Sequence, residues 1–97
     1  MSSEIRAFLH RKKAQLKRLE ADVEDLRAEF ESSGREKSLL GMLGDDLDAI
    51  RDKAARRLSE LEKAGEESLE ELRKGADGAL NELRKGLESA RKRLHES

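Results

Sequence analysis

Carboxylates, imidazoles and clustered cations are the only side chains in this sequence whose placement suggests chemistry. Asp45, Asp46 and Asp48 stand beside Gly44, a grouping that raises the question of a cation site. An EF-hand loop needs further oxygen ligands at fixed steps and a closing glutamate, and the stretch does not supply them. Acidic residues at the start of a helix are instead what capping and the macrodipole favour. His10 and His95 are far apart in sequence, with no thiol or second imidazole near either. A metal ligand or general base works within a constellation and not as a lone ring. The serines have no paired base. No catalytic, cofactor-binding or metal-binding residue is therefore expected, and the chain reads as non-enzymatic and without a cofactor.

The cations pose two questions. Arg11, Lys12, Lys13, Lys17 and Arg18 could contact phosphates, yet the net charge is −1 and the aromatics are Phe8 and Phe30 alone. Nucleic-acid readers bring more positive charge and, for single strands, aromatic stacking platforms. Nucleic acid is not the expected partner. Ile5, Phe8 and Leu9 beside Arg6, Arg11, Lys12 and Lys13 make a short basic amphipathic helix of the kind that lies on a lipid surface. Ile5, Phe8, Leu9, Arg11, Lys12 and Lys13 are accordingly the candidate membrane contacts.

The elements that carry these residues are helical. The chain has 97 residues, of which 44% are charged and 35% hydrophobic, a balance typical of long helices and coiled coils. Its apolar residues fall in stripes, so it is not expected to bury a conventional core alone. The absence of cysteine excludes disulfides. The longest uncharged run, Ser38–Gly44, is far short of the roughly 20 residues of a membrane span. The first residues lack the apolar stretch of a signal peptide, and a cytoplasmic setting, at most peripheral to a membrane, is expected.

A first helix is expected over about residues 3–31, capped by Ser2 or Ser3. Ile5, Leu9, Leu16, Leu19, Val23, Leu26 and Phe30 follow at alternating steps of four and three, interrupted at Lys12. That is a heptad seam. Its charges are segregated: Arg6, Arg11, Lys12, Lys13, Lys17 and Arg18 come first, then Glu20, Asp22, Glu24, Asp25, Glu29 and Glu31 around a single Arg27. An antiparallel or staggered partner would pair such blocks, whereas a parallel copy in register would not.

Residues 32–46 form the expected hinge region. Ser33 and Glu36 have capping-box spacing, and Gly44 marks a hinge with Asp45 or Asp46 capping the long helix beyond it. A helix continuous from about residue 34 is the competing reading.

Beyond the hinge one pattern returns every eleven residues. Leu58, Leu69 and Leu80 open successive units, Leu61, Leu72 and Leu83 follow each by three, and LEELRKG at 69–75 comes back as LNELRKG at 80–86. Leu47, Ile50 and Ala54 extend the register upstream, and Leu87 and Leu94 extend it downstream. Eleven residues in three turns is about 3.67 per turn, a period that keeps a stripe on one face of a nearly straight helix. A second helix over about residues 45–95 is expected, a rod near 75 Å at about 1.5 Å per residue. Gly65, Gly75, Gly78 and Gly86 lie inside it, each costing roughly 1 kcal/mol against alanine.

The motifs LEELRKGADGA and LNELRKGLESA resemble the eleven-residue amphipathic repeats of apolipoproteins, phasins and late-embryogenesis-abundant proteins. The resemblance covers residues 47–94. It implies an amphipathic helix that coats lipid or polymer surfaces, or protects membranes and proteins during drying.

The expected architecture is all-α: one unit over residues 1–97, an elongated helical hairpin or rod that forms a coiled-coil or bundle assembly. The expected function is that of a self-associating structural scaffold, filament or assembly subunit, a homo-oligomer with antiparallel or staggered helices. Leu16, Leu19, Val23, Leu26, Phe30, Leu47, Ile50, Leu58, Leu61, Leu69, Leu72, Leu80, Leu83, Leu87 and Leu94 are the residues expected to make the contact between copies. The alternative is a protein that covers a lipid membrane or another hydrophobic surface, and another protein's helix is a further candidate partner.

Overall fold

Residues 3–34, 37–64 and 66–95 are described by a computed structural model. They form three α-helices: α1 (Ser3–Ser32), α2 (Lys37–Lys63) and α3 (Leu69–His95), the last entered through a single 3-10 turn at Glu66–Ser68. Lys13 meets Glu62 and Arg27 meets Asp48, so α2 runs antiparallel to α1. Lys53 meets Glu82 and Leu47 lies against Gly86, which sets α3 antiparallel to α2, while Lys12–Asp77 and Asp22–Arg91 set it parallel to α1. The result is an up-down-up bundle measuring 49 × 18 × 17 Å.

The all-α, elongated architecture agrees with the sequence pattern, but the second helix differs from its expected form. The stretch 45–95 is two helices and not one rod. α2 ends at Lys63, where the Ala64 amide donates to the Leu61 carbonyl in a tight 3-10 turn. Gly65 lies outside the described residues. Folding the stripe back on itself removes its leucines from water, each worth about 1.5–3 kcal/mol. The turn sacrifices only a few helical hydrogen bonds, each worth about 1 kcal/mol net. Burial therefore wins over helix continuity. The three helices come out nearly equal in length, at 30, 27 and 27 residues, so each can cover the others along the whole bundle.

The hinge also moves. No break occurs at Gly44: α2 runs unbroken from Lys37 through Gly41 and Gly44, close to the competing reading of the sequence. Asp45 and Asp46 sit mid-helix and cap nothing. Ser33 closes α1 and does not open α2, because its hydroxyl donates to the Phe30 carbonyl at 2.7 Å and its amide to Glu29 at 3.0 Å. Gly34 follows with φ 72°, the left-handed conformation that ends helices and that glycine adopts without a steric penalty. Ser2 and Glu36, expected in capping roles, lie outside the described residues.

The core runs the length of the bundle. α1 contributes Ile5, Phe8, Leu9, Leu16, Leu19, Val23, Leu26 and Phe30. α2 contributes Leu47, Ala54, Leu58 and Leu61, and α3 contributes Ala76, Ala79, Leu80, Leu83, Leu87 and Ala90. The expectation that the chain could not bury a core alone is therefore corrected: stripes on three helices, each too narrow for a globular interior, close a core when they face one another.

Candidate interaction surface

Charged residues line the seams between the helices. Lys12, the gap in the heptad seam, lies where α1 meets α3. Its ammonium reaches Asp77 at 2.8 Å and sits 5.4 Å from the centre of the Phe8 ring, while the Arg73 guanidinium lies 4.7 Å from the same ring. The seam position holds a lysine because its stem packs along the apolar face while its charge reaches the rim. Lys13 pairs with Glu62. The basic block of α1 thus meets single carboxylates, Glu62 on α2 and Asp77 on α3, and α3 opens on an acidic first turn, Glu70 and Glu71.

At the other end the polarity reverses. α1 has no basic residue in its last turn, an arrangement its own macrodipole disfavours. α3 ends on Lys92, Arg93 and His95 beside it, and Arg91 lies 3.9 Å from Asp22. The opposite polarity that the segregated charges of α1 require is supplied within the chain by the parallel α3. The second helix, α2, whose acidic start lies along the acidic end of α1, adds the single pairs Lys13–Glu62 and Arg27–Asp48.

Arg27 joins α1 to α2. Its Nη2 donates to Asp48 Oδ2 at 2.6 Å and to the Gly44 carbonyl at 3.3 Å, and its Nη1 donates to Glu24 at 3.2 Å. The bond to Asp48 raises the guanidinium pKa above its ordinary value, against a smaller opposing effect of burial. A Cβ on Gly44 would lie 3.4 Å from this guanidinium, in van der Waals contact with it. Asp48 Oδ1 is buried without a hydrogen bond, with Arg51 at 3.8 Å. The grouping of Asp45, Asp46 and Asp48 is therefore split: Asp48 serves helix pairing, while Asp45 and Asp46 face solvent. Among the described residues no three potential ligands come together as a metal site. His10 and His95 are exposed at opposite ends of the bundle, each at the edge of an open hollow.

The candidate membrane contacts divide in the same way. Ile5, Phe8 and Leu9 are buried in the core, Lys12 and Lys13 are paired, and Arg11 is exposed. In the closed bundle the apolar face of that helix is covered.

Of the residues expected to join copies, Leu16, Leu19, Val23, Leu26, Phe30, Leu47, Leu58, Leu61, Leu80, Leu83 and Leu87 are buried within one chain. Ile50, Leu69, Leu72 and Leu94 pack against them, partly exposed. Of the described glycines, Gly86 has the closest neighbours: between α2 and α3 a Cβ on it would stand 3.1 Å from Leu47 Cδ2 and 3.6 Å from Ile50 Cδ1. The periodic pattern pointed to the stripe but not to Arg27, whose one sequence signal is being the lone cation within an acidic block. No signal distinguished Gly86 from the other glycines of α3. No family model, characterised protein or solved structure matches the chain.

Proposed function

We propose that the chain is a non-enzymatic, self-associating helical-bundle protein that serves as a structural scaffold or assembly subunit in the cytoplasm. One observation carries this reading: the apolar stripe at eleven-residue spacing packs helix against helix, with its flanking charges matched helix to helix. A second copy carries the same stripe and the same charges, so the contacts that fold one chain can be remade between copies that exchange helices.

The test is light scattering on size-exclusion fractions across a hundredfold range of protein concentration. A mass that rises with concentration to a defined multiple of 11.0 kDa is expected. A monomer at every concentration would overturn the reading. If that monomer gained helix on anionic vesicles, the surface-coating alternative would take its place.

A further inference from the structure

The turn between α2 and α3 keeps the helical phase of the stripe. Ile50, Leu61, Leu72, Leu83 and Leu94 stand eleven residues apart, and so do Leu47, Leu58, Leu69 and Leu80. The strides Ile50 to Leu61 and Leu72 to Leu83 lie within one helix, whereas Leu61 to Leu72 and Leu58 to Leu69 span the turn. A hairpin places no such demand, because reversing the chain breaks any relation between the faces before and after it. A continuous helix does demand it. The interruption is also slight: Glu66–Ser68 is already a 3-10 turn leading into α3, and no proline stands anywhere in the chain.

We propose that residues 64–68 are a hinge through which α2 and α3 fuse into one helix, and that two such chains exchange α3 to form a swapped antiparallel dimer. This rests on the self-association proposed above and names its mode. The closed chain already has the required register. Lys53 pairs with Glu82, Arg57 packs on Gly75, and Leu47 lies against Gly86, three contacts centred on the turn itself. Two straightened helices crossing antiparallel at residues 66–68 recreate each of these contacts between copies. The α1 of each copy stays on its own α2 and receives the other copy's α3. Every buried residue keeps its neighbours, so the exchange is opposed only by the order lost on association and by Gly65 within a helix. A helix running from residue 37 to residue 95 would span about 88 Å, against the 49 Å of the closed bundle.

The experiment uses the full chain carrying Lys53→Cys and Glu82→Cys, both at exposed positions in a protein without native cysteine. Monomer and dimer fractions are separated and treated with a short bismaleimide, then run on a denaturing gel. Crosslinks within chains are expected from the monomer and crosslinks between chains from the dimer. Gly65→Ala should raise the dimerisation constant about thirtyfold, roughly fivefold for each of two hinges. Glu66→Pro should hold the monomer, because proline suits the first position of a helix but not its interior. A dimer that crosslinks only within chains would sink the exchange and leave self-association standing. A monomer at every concentration, Gly65→Ala included, would sink both.

Discussion

At Gly86 and Gly78 the same residue type has opposite meanings. Gly86 lets α3 approach α2 closely, while a Cβ on Gly78 would meet nothing within 4 Å. Gly78→Ala should therefore stabilise the fold by about 1 kcal/mol through helix propensity alone. That corresponds to a rise of roughly 4–8 °C in thermal midpoint for a chain of this size, read by circular dichroism. Gly86→Leu should lower the midpoint, since its side chain must displace Leu47 and Ile50, and overpacking typically costs about 1–3 kcal/mol. Arg27 offers a second test. Both it and Asp48 are about one-third exposed, so a double-mutant cycle with Arg27→Met and Asp48→Asn should return a coupling of about 1 kcal/mol and not several. The raised pKa of Arg27 means that its side of the pair is intact below the ordinary arginine value and is lost only as pH climbs through the raised one. Guanidinium titration therefore adds no pH dependence near neutrality. The sequence identified the apolar residues of the core well, because burial follows spacing. It could not separate Gly86 from Gly78, because the difference lies in what the neighbouring helix brings to each.

At the scale of the element, α1 shows how a charge pattern adverse to its own helix becomes an asset in a bundle. Its basic block faces Asp77 and Glu62, and Asp22 in its acidic block faces Arg91. Lys12→Glu would set like charges together at Asp77 and remove a cation from the Phe8 ring. A loss of about 1–2 kcal/mol in urea unfolding is expected, partly recovered by adding Asp77→Lys. If the double variant is no more stable than Lys12→Glu alone, the charge pairing does not orient α1. The heptad of α1 was legible from residue order. Its need for an opposite charge pattern was legible too, and the source of that pattern, the third helix of the same chain, was not.

For the whole molecule, the core places Leu61 and Leu83 at complete burial between helices. Leu61→Ala should cost about 2–5 kcal/mol, a large share of the stability of a chain this size, and leave a dilute sample partly unfolded by circular dichroism. The sequence alone determined that the chain is helical, which face of each helix is apolar and how charge is distributed along each. Those properties follow from local spacing, because a helix puts residues three and four apart on one side whatever surrounds it. Only the tertiary structure decided where the chain reverses. The stripe keeps its eleven-residue phase through residues 64–68, so nothing local distinguishes a rod from a hairpin. The choice falls to long-range burial: within a single chain, the leucines of α2 and α3 leave water when the chain folds back and α1 closes over them.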